Sequence, residues 1–220
     1  MKKLMIVLIA GFLFLSLYSQ SGGGLGGPMF GYYMNEMDDI NATISSITGK
    51  SLADTDFQMG GGGYAIMDGL IIGGYGYGGE QVLATDSLSL NYSIGGGAFE
   101  FGRLWDIKIM HIGIIGKLGS SEEVIRLEPK PLINISLDSL LTNPGRTSVM
   151  KRGGFETGLS LMGIFPIKNW ISIALKGGVS YGFSRDWKLE DGGDILNSPE
   201  DRPLRYDLSI GVMFGMLAGE

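Results

Sequence analysis

The sequence predicts an all-β fold, an antiparallel up-and-down β-barrel of about eight strands (eight to ten), with a short helix in the first long connection. The first observation is the segment Trp170–Phe183, where large apolar residues alternate with small or polar ones, as in a strand with two unlike faces. The second is that similar segments recur along the chain, joined by alternately short and long connections. The third is glycine, 38 of 220 residues, against about 7% in average proteins. Glycine within strands marks bulges and close approach, which a strongly curved sheet needs.

The N-terminal segment is predicted to be a targeting signal and is set apart from the fold. Two lysines precede an apolar run, Leu4–Tyr18, that is short for a membrane helix. We assign residues 1–20 to a signal peptide with cleavage near Ser21, and an uncleaved anchor is the alternative. Residues 21–27 are predicted to form a glycine-rich leader, and residues 28–217 a single barrel domain.

Composition excludes several classes of function. The chain has 17 basic and 23 acidic residues, a net charge of −6. This balance argues against nucleic acid or an anionic membrane surface as a partner. It has no cysteine, which excludes disulfides, thiolate metal sites and a cysteine nucleophile.

The first predicted elements are a short strand, Pro28–Met34, and a helix over Asn35–Thr48. In that helix Met37, Ile40, Ile44 and Ile47 follow helical spacing, and Gly49 stands where a C-terminal cap is expected.

The remaining strands follow from the same alternation. They are predicted at Phe57–Ile66, Leu70–Tyr77, Leu88–Phe101, Ile107–Lys117, Gly154–Ile167, Trp170–Phe183 and Tyr206–Leu217. Short turns are expected at Met67–Gly69, at 102–106 and at Lys168-Asn169, the first because Asp-Gly favours tight hairpins. The long connection 118–153 offers a strand extension at Val124–Leu127 and a helical turn at Ser136–Leu141. At Gly95–Gly97 the apolar residues change parity, which predicts a β-bulge.

An even strand number, short turns on one rim, long loops on the other and an export signal together favour a small outer-membrane barrel. The minor face of the strands is mainly Gly, Ser and Ala, which suits a crowded interior better than a solvated surface. Four charged residues on that face are the predicted interior polar candidates: Glu100, Glu156, Lys176 and Asp207. Lys176 in particular is expected to be an interior charge with a partner. The alternative is a solvated face with unrelated charges.

Aromatic residues near the strand ends predict two interfacial belts. One belt is at the long-loop ends, with Tyr32, Tyr33, Tyr75, Tyr77, Tyr181, Phe183 and Tyr206; the other is at the short-turn ends, with Phe101, Trp105, Phe165, Trp170 and Phe214.

No catalytic, cofactor-binding or metal-ligating residues are predicted, although three features resemble such sites. Gly74–Gly79 matches G-x-G-x-x-G, but strand-like sequence surrounds it. His111 is the single histidine and is expected to be packed. The acidic loop Asp186–Asp201 fits no calcium-loop spacing. Trp187 in that loop is a candidate contact residue for a partner, and the favoured interpretation is an anchor that folds back onto the barrel.

The chain resembles small eight-stranded outer-membrane barrels as a class. Its C-terminal third also resembles uncharacterised glycine-rich, barrel-like proteins of thermophilic and anaerobic bacteria. The motifs that carry this second resemblance are Phe165–Trp170, Gly177–Tyr181, Asp186–Glu190 and Ile210–Gly215. It implies no activity and no site residues.

Three functions remain in competition. The first is an outer-membrane protein with a structural or interaction role and no open pore, in contact with membrane lipid and open to a protein or lipid partner through its long loops. The second is a soluble exported barrel, periplasmic or extracellular, that binds an apolar ligand or lipid. The third is a lipid-modifying enzyme in a small barrel. The oligomeric state is left open.

Overall fold

The computed structural model describes residues 22–34, 37–130, 147–183, 186–190, 193, 195 and 204–217. The predicted signal peptide and the predicted helical turn at Ser136–Leu141 lie outside these residues, and most of the acidic loop does too.

The described residues form one helix and nine strands. The helix is α1, Asp38–Thr48, and the strands are β1 Gly22–Met34, β2 Thr55–Met67, β3 Leu70–Ala84, β4 Leu88–Ile107, β5 Met110–Pro129, β6 Ser148–Lys168, β7 Ile171–Phe183, β8 Lys188–Leu189 and β9 Leu204–Met216. The eight long strands are antiparallel and close into a barrel, because β1 pairs with both β2 and β9, and β5 pairs with β6. β8 adds only two residues to the edge of β6. The predicted fold class is therefore confirmed.

The two rims of the barrel differ. We call the rim with the β2–β3, β4–β5 and β6–β7 turns the turn side, and the opposite rim the loop side. At the β2–β3 turn, Asp68 and Gly69 have φ angles of 49° and 77°, as in the two-residue turn that Asp-Gly predicts. The turn predicted at 102–106 was wrong. β4 continues to Ile107, and the chain reverses at Lys108-Ile109, where Lys108 has φ 50°. The β6–β7 turn lies one residue later than predicted, at Asn169-Trp170.

The glycine-rich leader predicted over residues 21–27 was wrong for Gly22–Gly27. These residues form the first half of β1 and pair with β2, and some of them also with β9. Glycine carries no side chain that could reveal a parity, so the pairing is visible only in three dimensions.

The bulge predicted at Gly95–Gly97 was also wrong. These residues pair in unbroken register with Gly76–Gly78 of β3 and with Ser120–Glu122 of β5. The strand keeps its phase, and the apolar side chains change from the inner to the outer wall: Ile94 is 3% exposed and Phe99 is 50% exposed.

Strands β3 to β6 are longer than predicted and rise above the rest of the barrel on the loop side. β3 extends to Ala84, and β5 and β6 take up half of the connection predicted at 118–153. The predicted strand extension Val124–Leu127 is part of β5.

Two apolar clusters fill the barrel ends. The turn-side cluster consists of Leu25, Met29, Tyr64, Ile66, Ile71, Leu104, Ile115, Met162, Ile164, Ala174, Met213 and Leu217. The loop-side cluster consists of Tyr33, Met37, Ile40, Ile44, Leu52, Leu83, Leu90, Tyr92, Ile94, Ile125 and Trp187.

Helix α1 closes the loop side. Met37, Ile40 and Ile44 form its buried stripe, and Gly49 ends it in the left-handed region with φ 66°, donating its N–H to the Ser45 carbonyl at 2.9 Å. The amide of Asn41 fixes the chain that follows, because it both donates to and accepts from the backbone of Leu52, at 2.9 and 2.8 Å.

Within the described residues, no helix has the length and apolar character needed to cross a membrane.

Candidate functional site

The barrel interior between the two apolar clusters is lined by charged residues, and it contains all four predicted candidates. Glu100, Glu156 and Lys176 are no more than 2% exposed. Asp207 also faces inward, with its side chain 15% exposed. Strand alternation places them there, because each lies on the parity opposite to the apolar outer residues of its own strand.

Lys176 pairs with Glu100. Its Nζ lies 2.8 Å from Glu100 Oε1 and 3.7 Å from the ring centroid of Tyr75. The Tyr64 hydroxyl donates to the other carboxylate oxygen, Oε2, at 2.5 Å. The ammonium is therefore held by an opposite charge and an aromatic face, both within the barrel wall.

The other two candidates have different partners. Asp207 pairs with Lys117. Glu156 accepts hydrogen bonds from Ser121 Oγ at 3.2 Å and from the Tyr77 hydroxyl at 3.4 Å. Lys176, Asp207 and Glu156 nevertheless line one small cavity, so the structure brings three of the four predicted residues to one place.

A second charged group near the loop side was missed from sequence. Glu123, fully buried, accepts from Arg152 Nε and Nη2 at 3.0 and 2.8 Å and also pairs with Arg205. The Tyr92 hydroxyl donates to it at 3.1 Å. Arg205 Nη1 donates to Ser121 Oγ at 3.3 Å, and Ser121 donates in turn to Glu156. Ser121 therefore links the two charged groups into one hydrogen-bonded network.

The missed residues share one cause. Lys117, Glu123, Arg152 and Arg205 lie at or beyond the predicted ends of their strands. On β5 the alternation Ile115, Lys117, Gly119, Ser121, Glu123 and Ile125 does continue inward, and that parity was the available signal.

Trp187 lies in the loop-side cluster at 3% exposure, with its ring centroid 4.8 Å from the guanidinium carbon of Arg152. It is not placed to meet a partner at the surface. The geometry is that of the anchor, the interpretation favoured from sequence.

The cavity between the charged groups is small. Its volume is about 20 Å³, and a cavity of about 10–15 Å³ on this measure holds one water. Among the described residues the interior is closed by the apolar cluster at each end, so the barrel has no open pore there.

In the described residues, the other sequence motifs form neither a phosphate-binding loop nor a metal site. Gly74–Gly79 lies inside β3 and pairs on both sides, whereas a phosphate cradle needs the start of a helix. Over the described ranges, no three His, Asp or Glu side chains are grouped to hold a metal ion.

Three of the predicted belt residues face the interior. Tyr33, Tyr75 and Tyr77 lie on the inner parity of β1 and β3, Tyr33 stacks on Tyr77, and Tyr77 stacks on Tyr75. Their assignment to the loop-side belt was wrong, because their hydroxyls and rings contact charged side chains inside the barrel.

Comparison with known proteins gives the fold and no closer relation. No protein-family model matches the chain, and no curated protein matches it either. A major outer membrane protein from Thermus thermophilus is similar in structure, with a TM-score of 0.52, 9% identity and coverage of 88% of this chain and 99% of that one. Ail, the attachment invasion locus protein of Yersinia pestis, solved with the heparin analogue sucrose octasulfate, has a TM-score of 0.48, 10% identity and coverage of 89% and 97%. Neisserial surface protein A has a TM-score of 0.41, 9% identity and coverage of 89% and 97%. At 9% identity, the likeness to the Thermus protein concerns the barrel fold.

Proposed function

We propose that this chain is an exported β-barrel protein of the outer membrane, with a structural or interaction role and no open pore. The observation that carries the proposal is the polarity of the wall. The inner face carries the buried charges, whereas large apolar side chains stand exposed on the outer face. Examples from four strands are Met59, Leu161, Leu175, Leu208 and Ile210.

Water is a poor solvent for such a wall. Leaving a Leu or Ile side chain in water instead of burying it costs about 1.5–3 kcal/mol, and contiguous exposed apolar patches of more than a few hundred Å² mark interaction surfaces. Hydrocarbon removes that cost, and a closed barrel pairs its backbone within itself, as a membrane requires.

The aromatic residues on the outer wall support the same placement. On the loop side the exposed ones include Tyr32, Phe57, Phe155, Phe183 and Tyr206, and on the turn side Trp105, Trp170 and Phe214. Rings at both strand ends form the interfacial girdles of a membrane barrel.

The soluble alternative requires the reverse arrangement. A soluble barrel that binds an apolar ligand keeps its large apolar residues inside around a cavity. Among the described residues the interior holds several buried ion pairs, including Lys176–Glu100, Arg152–Glu123 and Arg205–Glu123, and a cavity of about 20 Å³. The proposal includes no catalytic activity.

We further propose that the C-terminal third is related to the glycine-rich, barrel-like proteins of thermophilic and anaerobic bacteria. The support is local: Pro166 lies near the end of β6, Trp170 is the second residue of the β6–β7 turn, and the Asp186–Glu190 motif contains the buried Trp187.

Fractionation tests the membrane placement directly. We expect the native protein to remain in the membrane pellet after a carbonate wash and to migrate faster on a gel before boiling than after it. Recovery in the wash without detergent would refute the proposal.

A pair of variants tests the orientation of the wall. Ile173 and Ser172 are neighbours on opposite faces of β7. Ile173→Arg should hinder insertion, because a charge on the lipid face costs about 2–4 kcal/mol at the bilayer midplane and less toward the turn-side interface, near which Ile173 lies. Ser172→Arg should insert with a crowded interior. Equal behaviour of the two variants would contradict one-sided contact with lipid.

A further inference from the structure

One arginine interrupts the apolar outer wall near the turn side. Arg103 lies on the outward parity of β4 and is exposed. Its neighbours on that face of β4, Phe101 and Trp105, are exposed apolar residues, and so are the two residues paired with it, Leu70 of β3 and Ile114 of β5. Arg103 is therefore a positive charge with apolar side chains on all four sides.

The guanidinium of Arg103 has no counter-charge in its surroundings. In the described part of the chain, no side chain forms a hydrogen bond or an ion pair with it. Glu100, the nearest acid on the same strand, faces the interior and pairs with Lys176. The five N–H groups of the guanidinium are therefore available to a ligand.

The register of the closed sheet gives the height of Arg103 in the wall. Rows of directly paired residues climb toward the loop side, so that a row which leaves β9 at Phe214 returns to β9 ten residues higher, at Leu204. Half of that circuit, from β9 to β4, climbs about five residues and reaches β4 at Phe99. The height of Phe214 therefore crosses β4 about five residues beyond Phe99, between Arg103 and Trp105. The paired residues of the row are Phe214, Gly26, Gly63, Gly74, Phe99, Leu118, Thr157, Tyr181 and Leu204.

This height is that of the turn-side aromatic girdle. Phe214 stacks on Trp170 with ring centroids 6.3 Å apart, and both are exposed on the outer wall. Aromatic girdles lie at the level of the lipid headgroups. A long cationic side chain at that level keeps its alkyl stem in the apolar wall and its charge among the headgroups.

We infer that Arg103 binds the phosphate of a phospholipid in the leaflet next to the turn side, an inference that rests on the proposed outer-membrane placement. The planar guanidinium donates two parallel hydrogen bonds to a phosphate, which are among the strong ones. The indole N–H of Trp105 also lacks a partner among the described residues. It lies two residues along the same face, about 7 Å away, and can donate to the same headgroup.

The charge of the whole chain makes this contact a local one. With a net charge of −6, the protein is not attracted as a body to an anionic surface. A phospholipid that stays bound outside the bilayer must therefore be held by a particular cation. Arg103 supplies that cation where the headgroups lie.

Native mass spectrometry of the full chain in mild detergent, titrated with phosphatidylglycerol, tests this inference. Arg103→Met should lower the lipid-bound fraction about tenfold relative to the wild type, equivalent to about 1.4 kcal/mol. Arg103→Gln also removes the charge and serves if Arg103→Met does not fold. The matched control is Lys108→Met, which removes one exposed positive charge from the β4–β5 turn of the same hairpin; it should bind as the wild type does.

Two further titrations of the wild type identify the group that is bound. Diacylglycerol with the same acyl chains lacks the phosphate and should be retained about tenfold less than phosphatidylglycerol. Inorganic phosphate at the concentration of the lipid should not displace phosphatidylglycerol, because it lacks the acyl chains that hold the headgroup at the wall.

Several results would overturn the inference while leaving the outer-membrane placement intact. They are equal lipid-bound fractions in Arg103→Met and the wild type, an equal loss in Lys108→Met, equal retention of diacylglycerol, displacement by inorganic phosphate, and a wild-type dimer that Arg103→Met dissociates. The last would assign the guanidinium to an acidic group of a second copy. Recovery of the wild type in the carbonate wash would instead remove the placement on which the inference rests.

Discussion

The buried Lys176–Glu100 pair offers the sharpest test of the interior. Lys176→Met keeps the length of the side chain and removes its charge, which leaves the Glu100 carboxyl inside the barrel without its counter-charge and with the Tyr64 hydroxyl as its hydrogen-bond donor. Both members of the pair are 1% exposed, so water does not replace the lost ammonium. We expect Lys176→Met to be strongly destabilised.

The magnitude follows from this geometry. Removing one partner of a buried ion pair costs about 3–5 kcal/mol, whereas replacing both by uncharged groups of similar size is often neutral. The hydrogen bond from Tyr64 remains in the variant, so the lower end, about 3 kcal/mol, is expected. That loss changes the ratio of folded to unfolded protein by a factor of about 100. The double variant Lys176→Met with Glu100→Gln should regain most of the stability.

The assay is equilibrium unfolding in urea with the protein in lipid vesicles, followed by tryptophan fluorescence and by the shift of the unboiled gel band. Lys168→Met, at an exposed position on the turn side, is the control and should match the wild type. The reasoning is refuted if Lys176→Met is as stable as that control, or if the double variant is less stable than the single one.

Two further predictions concern the wall and the cap. Gly60→Ala should destabilise the barrel by about 1–3 kcal/mol, because the new methyl group meets the backbone of Gly76; Gly63→Ala, with open space at its Cβ, should be neutral or stabilising by up to about 1 kcal/mol in the same urea titration. Equal effects of the two substitutions would contradict the assignment of inner and outer faces. Trp187→Ala should release its loop from Arg152, so trypsin should cleave at the exposed Lys188 sooner than in the wild type while the barrel stays resistant. An unchanged cleavage rate would show that the ring does not anchor the loop.

The barrel was predictable from sequence wherever the two faces of a strand differ chemically. In β7, Ile173 and Leu175 face out while Ser172 and Lys176 face in, and the alternation assigns each without further information. The helix was predictable for a similar reason, because Met37, Ile40 and Ile44 share one face and Gly49 provides a left-handed end.

Pairing between distant strands was not predictable. Glu100 and Lys176 are 76 residues apart in the sequence, and they meet because the stagger of the closed sheet brings β4 and β7 to the same level across the interior. Alternation places a residue on the inner face but does not give its height in the barrel. For this reason the sequence indicated Lys176 as an interior charge without identifying its partner.

The contrast between the two faces of a strand is inverted on the loop side, and β4 shows why. Its inner residues Leu90, Tyr92 and Ile94 are apolar and pack under helix α1, whereas the outer residues beside them, Ser89, Asn91 and Ser93, are polar. Beyond Gly95–Gly97 the arrangement reverses, with Glu100 inside and Phe99 outside. One strand in unbroken register therefore has the polarity of a soluble barrel above this point and of a membrane barrel below it. Since hydrocarbon favours an apolar outer wall and water a polar one, Gly95–Gly97 marks on β4 the level at which the proposed membrane ends. A change of parity in an apolar pattern thus has two physical origins, a bulge in the strand or a change in the solvent outside it, and only the strand register distinguishes them.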